Sequence, residues 1–281
     1  MGVTVADIEA ELDRLLPKTD DCPQVLSQGL RWAVEGGGKR LRPLICLAAA
    51  EAVGGRAEDA LAPACAIEFL HSYTLVHDDL PAMDNDVERR GKASVWAKFG
   101  EANAILVGDA LQALAFKTAA SAPRNVPQII VELATRGVGV VRGQVVDISN
   151  SPHLSQPSQH SQPSQHSQPS QPSSLDFIFE HKTADLFMAA ACMGGWAGGG
   201  STEHVESLRR YAFHLGFAFQ YEDDLLDGED GAFSSLSVLG REEVETRVRT
   251  ETAAAVAALS NLPGPTDFLA TLANRLIARQ N

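Results

Sequence analysis

Ile67-Glu68-Phe69-Leu70-His71-Ser72-Tyr73-Thr74-Leu75-Val76-His77-Asp78-Asp79-Leu80-Pro81-Ala82-Met83-Asp84 carries an apolar helical pattern directly into a set of carboxylates. Ile67, Leu70, Leu75 and Val76 continue a pattern that starts near Ala57, so the segment reads as a long buried helix delivering Asp78 to its C-terminal end. Carboxylates oppose the negative end of a helix dipole, so Asp78 and Asp79 are unfavourable there unless a cation compensates. Asp78 and Asp84 stand six residues apart, which on an unbroken helix would rotate them about 240° from each other. Pro81 disfavours helical geometry at Leu80 and lets the chain turn, so that Asp84 swings back toward Asp78. From His77 to Arg90, five acids and two arginines fall within fourteen residues. Hard cations such as Mg2+ take oxygen ligands, keep several waters and complete their shell with substrate phosphates, so the stretch reads as a divalent-metal site for a diphosphate.

Outward from this stretch, alanine and leucine dominate a chain of 281 residues that is 44% hydrophobic and 6% aromatic. These are strong helix formers, and the expectation is an all-α protein with one large core. A formal charge of -13 argues against nucleic acid as a partner, because the phosphate backbone rewards a basic face. An anionic ligand must therefore be attracted by metal and by local basic clusters. Cys22, Cys46, Cys65 and Cys192 form no Cys-x-x-Cys pair, so neither a zinc site nor a disulfide framework is indicated. Residues 1–16 carry Asp7, Glu9, Glu11 and Asp13 rather than a signal pattern, Ala6 breaks the myristoylation motif, and no run reaches membrane-spanning length. A reduced, cytoplasmic location is expected.

On the N-terminal side, Val5, Ile8, Leu12, Leu15 and Leu16 predict an amphipathic helix capped by Thr4, and a second helix follows over Pro23 to Glu35. Gly36-Gly37-Gly38-Lys39-Arg40-Leu41-Arg42-Pro43 then delivers three cations to the start of an alanine-rich helix. It is no P-loop, since Arg40 stands where Ser or Thr belongs and no strand precedes it. Glycines and a helix N-terminus nonetheless place Lys39 and Arg42 well for a phosphate. On the C-terminal side, Gly91 to Gly100 reads as a short helical turn, Glu101 to Ala120 and Val126 to Ile148 as long helices, and Ala104, Gly108 and Ala115 as a close-packing face compatible with a homodimer. Residues 155–172 repeat a Ser/Gln/Pro/His hexapeptide three times, which predicts a disordered surface loop at about 151–174 within one domain. Helix resumes near Leu175 and carries His181-Lys182-Thr183; another spans Leu208 to Asp227 and ends in Phe219-Gln220-Tyr221-Glu222-Asp223-Asp224-Leu225-Leu226-Asp227. Asp223 and Asp227, four apart, share a helix face.

Two acid clusters, each closing a long apolar helix and lying about 140 residues apart, suggest two walls of one metal-filled cavity. Gly37-Gly38-Lys39-Arg40-Leu41-Arg42-Pro43, the Asp78 to Asp84 motif with its Pro81-Ala82 insertion, and Phe219-Gln220 with Asp223, Asp224 and Asp227 occur in one order. In this the chain resembles the trans-isoprenyl diphosphate synthases, the polyprenyl synthetase family, and among them bacterial farnesyl diphosphate synthases. The resemblance runs from about residue 30 to 230. It implies the isoprenoid synthase fold, a single-domain bundle of about ten or more helices around a central cavity. It also implies a prenyltransferase that condenses isopentenyl diphosphate head-to-tail with dimethylallyl or geranyl diphosphate, using three Mg2+ ions with Mn2+ able to substitute. Asp78, Asp84 and Asp223 are the implied metal ligands, with Asp79 and Asp227 assisting or holding waters. Lys39, Arg42, His71 and Arg90 would hold isopentenyl diphosphate; Arg89, Lys182, Thr183 and Gln220 would surround the allylic diphosphate and its developing carbocation. The departing diphosphate takes the proton, so no side chain need be the base. Tyr73, five residues before Asp78, would floor the product pocket and favour a C15 product; Thr74 beside it leaves C10 or C20 open.

The family normally carries two lysines after the second acidic motif. Here no Lys or Arg lies between Arg210 and Arg241, and Phe233 aligns with the second lysine. Each lost charge-assisted phosphate contact forfeits about 1.5–3 kcal/mol. The expectation is still an active synthase, against two alternatives: a non-catalytic or regulatory prenyl-diphosphate-binding subunit, or a terpene cyclase.

Overall fold

The computed structural model describes residues 2–35, 37–150, 174–228 and 234–278. The hexapeptide repeat and Phe233 lie outside them. The chain forms α1 (Val5–Leu15), α2 (Gln24–Val34), α3 (Leu41–Ala52), α4 (Leu61–Asp78), α5 (Val95–Phe99), α6 (Glu101–Ala119), α7 (Val126–Asn150), α8 (Ser174–Ile178), α9 (Asp185–Ala197), α10 (Thr202–Asp227), α11 (Ser235–Leu239), α12 (Arg241–Ala258) and α13 (Asp267–Ala278). A two-residue antiparallel pair, β1 (Glu88–Arg89) and β2 (Lys92–Ala93), is the only sheet among the described residues. The architecture is all-α, as composition and periodicity predict.

Thr4 starts α1 through a capping box: its hydroxyl accepts from Asp7 N–H at 3.3 Å while the Asp7 carboxylate accepts from Thr4 N–H at 2.8 Å. Ser201 caps α10 in the same way with His204, which starts that helix ahead of the expected Leu208. The centre of the bundle is α9, whose residues are buried along nearly its whole length, packed against α3, α7 and α10. Small residues allow this closeness: a Cβ on Gly194 of α9 would sit 2.0 Å from the Cys46 carbonyl of α3. Likewise α4 packs on α6, where Ala104, Gly108 and Ala115 are buried, so that face is an intramolecular contact. The four cysteines are free thiols, three of them buried.

Three local features depart from the expected pattern. The buried helix begins at Leu61, and Ala57–Ala60 form a tighter 3-10 turn before it. Residues 88–93 form the β1–β2 hairpin, whose turn residues Arg90 and Gly91 have φ of 55° and 75°. This is the left-handed pairing that a two-residue hairpin turn requires. Finally, the helix bearing Lys182 is interrupted: Phe179–Ala184 winds as a π-helical turn between α8 and α9.

Candidate active site

Asp78 ends α4, and the chain then folds back as Pro81 requires: Asp84 N–H donates to the Asp78 carbonyl at 2.9 Å. This returns Asp84 to the end of the helix that carries Asp78, with Asp84 exposed at the rim and Asp78 half-buried. Asp79 is buried and accepts from Arg89 Nε at 2.9 Å, while Arg89 also donates to Asp86 at 2.9 Å. Loss of hydration, together with the neighbouring Asp84 and Asp79 carboxylates, pushes Asp78 up to about 7 against the opposing pull of Lys182 and Arg89. Burial also raises Asp79 and Asp84. Such oxygen donors, costly to ionise without a cation, fit a hard metal ion. Among the described residues no three acidic, His or Cys side chains are grouped closely enough to enclose an ion alone. The fit is therefore of carboxylates that each supply part of a shell, with water and phosphate oxygens supplying the rest.

Beside this wall lies a cavity of about 330 Å³ lined by Gly38, Lys39, Arg42, His71, Arg90 and Phe219, among others. Arg42 Nη1 lies 3.2 Å from His71 Nε2. Arginine only donates, so Nε2 accepts and the proton of the neutral ring sits on Nδ1. Burial and the adjacent Arg42 and Arg90 charges hold His71 well below its ordinary value, consistent with that neutral form. Burial, reinforced by Arg90, also lowers Arg42 to about 10. Both His71 Nδ1 and Arg42 Nε are buried donors without a partner in the protein. With Lys39 and Arg90, these two residues give the cavity a basic lining suited to an anion. Lys39 is exposed at the cavity mouth, and Arg90 is braced there by donating to the Gly37 carbonyl at 2.6 Å.

Arg40, between the two phosphate candidates, is directed elsewhere. It is buried, in a left-handed conformation at φ 45°, and pairs with Glu68 at 2.5 Å and Glu9 at 2.6 Å. Arg40 thus anchors the loop with its guanidinium committed to Glu9 and Glu68, although it and Glu68 also contribute to the cavity lining.

Lys182 and Thr183 sit on the π-helical turn. Lys182 donates to Asp147 of α7 at 2.5 Å. Burial works against its charge, but Asp147, Asp78 and Asp84 outweigh this and raise its pKa. Lys182 is thereby the cation that the acid wall faces. Thr183 donates to Gln220 Oε1 at 2.7 Å, and Gln220 Nε2 donates to Asp224 at 3.0 Å. Asp224 in turn accepts from Ser235 N–H at 2.7 Å and Ser235 Oγ at 2.6 Å, tying α10 to α11. Asp223 is half-buried on α10 and acts electrostatically on Arg42; Asp227 is exposed at the helix end. Of the expected residues, Asp78, Asp84, Arg89 and Lys182 form one electrostatic group, Arg42, His71, Arg90 and Asp223 another, and Thr183 bonds Gln220, whereas Asp227 is placed only at the exposed end of α10.

A second, more apolar cavity of about 130 Å³ lies between α4 and α7, lined by Tyr73, Thr74, His77, Asp78, Val140 and Gln144, among others. The Tyr73 ring stands edge-on to His77, with centroids 4.9 Å apart. Two polar residues of α7, Gln144 and Asp147, join the site without a motif of their own. Asp147 bonds Lys182, and Gln144, which lines this cavity, holds a buried Nε2 donor without a partner in the protein. Their signal was present as polar residues on one face of α7, but only the fold shows what that face meets.

Residues 23–242 match the family model described as "Polyprenyl synthetase", and the chain belongs to the polyprenyl synthetase family. The chain is 42% identical over 212 residues to "Geranylgeranyl pyrophosphate synthase, chloroplastic" of Capsicum annuum, covering 73% of this chain and 54% of that protein. It is 41% identical over 229 residues to "Heterodimeric geranylgeranyl pyrophosphate synthase large subunit 1, chloroplastic" of Arabidopsis thaliana, covering 78% of this chain and 58% of that protein. The chain therefore spans little more than half the length of these relatives. The crystal structure of an FPP/GFPP synthase from Zymomonas mobilis superposes with a TM-score of 0.84 at 33% identity, covering 97% of this chain and 95% of that one. The isoprenoid synthase fold is thus established.

Proposed function

We propose that the protein is a trans-prenyltransferase that joins isopentenyl diphosphate head-to-tail to an allylic diphosphate and releases diphosphate. The observation that carries this is a basic cavity lined by Lys39, Arg42, His71 and Arg90, beside an acid wall whose carboxylates raise Lys182. In this reading Arg42, His71, Lys39 and Arg90 hold isopentenyl diphosphate, so that its double bond faces the allylic carbon. Asp78, Asp84 and Asp223 would hold Mg2+, which when bound neutralises the leaving diphosphate. Lys182 adds a cation on that diphosphate, and the Thr183 and Gln220 oxygens line the place where positive charge develops. The relatives' names and the family membership support this activity.

For product length we propose C15, with Tyr73 closing the hydrocarbon cavity. The observation favouring C20 is that the relatives described above are named geranylgeranyl synthases. Product chromatography of Tyr73→Ala separates the assignments: a longer product is expected, and an unchanged profile would remove Tyr73 as the floor.

We also propose a homodimer formed through α6 and α7. Ile105 and Leu106 of α6 and Val131, Val138, Val141 and Val145 of α7 leave large apolar side chains exposed on these adjacent helices. Light scattering tests this by giving twice the chain mass. The cytoplasmic location stays part of the proposal; buried free thiols are compatible with a reducing compartment.

A further inference from the structure

The π-helical turn that presents Lys182 and Thr183 is followed at once by Asp185, an acid buried in the middle of the bundle. A buried carboxylate persists only where its charge is met, and Asp185 is met from two sides. Its Oδ1 accepts from Arg136 Nη1 of α7 at 2.8 Å, and its Oδ2 lies 2.8 Å from His181 Nδ1 within the turn. The His181 ring packs edge-on against Phe177 at 4.3 Å, and Arg142 of α7 covers Phe177 at 5.3 Å. The backbone is shaped to bring these groups together. A Cβ on Gly139 of α7 would fall 1.8 Å from Asp185 Oδ2, and one on Gly143 would fall 2.8 Å from Lys182 N. On the opposite side a Cβ on Gly216 of α10 would meet Ala184 Cα at 2.5 Å.

We infer that Asp185, with Arg136 and His181, is a positioning unit that locks the π-helical turn and so aims Lys182 and Thr183 into the active site. A π turn carries one residue more than the α-helical ladder accommodates and needs support from outside the helix. Residues 181 and 185 would be ordinary helix neighbours in a regular α-helix. Here the acid bonds His181 on one side and a different helix on the other, so the direction of the intervening Lys182 is fixed relative to α7, which also carries its partner Asp147. None of the three groups touches substrate in this assignment; each acts through Lys182 and Thr183. The inference rests on the prenyltransferase reading above for the meaning of Lys182.

The test is a double-mutant cycle between Asp185→Asn and Lys182→Ala. Two quantities are read: Mg2+-dependent binding of inorganic diphosphate by calorimetry, and turnover with isopentenyl and geranyl diphosphates. Asp185→Asn is expected to weaken diphosphate binding about tenfold when Lys182 is present and less than about twofold when it is alanine, because directly coupled groups are non-additive. It is also expected to lower kcat/KM for geranyl diphosphate about tenfold while KM for isopentenyl diphosphate holds within about twofold, since the Arg42–His71 pair is built on α3 and α4 and does not hydrogen-bond Asp185, Arg136 or His181. Arg136→Lys, which keeps a cation beside Asp185, should retain more activity than Arg136→Gln. Should the Asn variant fold poorly, the Arg136 pair carries the same cycle. Equal losses in both Lys182 backgrounds, or no loss in either, would overturn the positioning role while leaving a turning-over wild type as a synthase. A wild type that neither binds diphosphate nor turns over would overturn the proposed function itself.

Discussion

Arg42 donates to Nε2 of His71 and so fixes the imidazole in its neutral, Nδ1-protonated form within the basic cavity. Burial first, then Arg42 and Arg90, keep His71 from taking a second proton at pH values where an unfolded chain, with its ordinary 6.5, does so. Below that pH the unfolded state binds the extra proton and the folded state does not, so stability is present above about 6.5 and lost as pH falls through it. Denaturant midpoints between pH 7.5 and 5.5 should show this fall, and His71→Gln should abolish about 1 kcal/mol of it. An identical pH slope in both proteins would show that His71 titrates freely. Arg40 shows the limit of reading charge from sequence. It shares a basic cluster with Lys39 and Arg42, yet its buried pairing with Glu68 and Glu9 makes it an anchor. Nothing in the composition of that cluster reveals the acids that claim Arg40.

Among the elements, α3 and α9 approach closely where a Cβ on Gly194 would meet the Cys46 carbonyl. Gly194→Ala should destabilise the fold by about 1–3 kcal/mol through overpacking, read as a lower urea midpoint; an unchanged midpoint would mean that the helices separate freely there. The long helices were legible because their apolar periods are clear, and the turn at Pro81 because proline restricts its neighbour's backbone. The hairpin at 88–93 was not, since Arg90 supplies a positive φ without the Asn or Asp that usually signals such a turn. The π turn was equally hidden: one added residue scarcely alters the apolar pattern, and its support comes from Arg136, distant in sequence. Asp147 belongs to the same class, because its pairing with Lys182 crosses from α7 to the π turn around the repeat segment.

At the scale of the whole molecule, the two acid motifs and the glycine-basic loop come to one region because α3, α4 and α10 share the bundle around α9. Neither the repeat at 155–172 nor the segment around Phe233 lies within the described residues, so their expectations rest on sequence. Deleting Ser155 to Pro172 should leave turnover and thermal stability nearly unchanged, because the tract offers almost no apolar surface to a core. A large loss in either would assign the repeat a role in the fold or the site. The missing lysines after Asp227 make turnover itself the decisive quantity. Purified protein incubated with isopentenyl diphosphate, geranyl diphosphate and Mg2+, with products resolved by chromatography, should yield a longer prenyl diphosphate. Asp78→Ala should lose that product while keeping its helical circular dichroism. No elongation by the wild type at any concentration, or undiminished elongation by Asp78→Ala, would contradict the account.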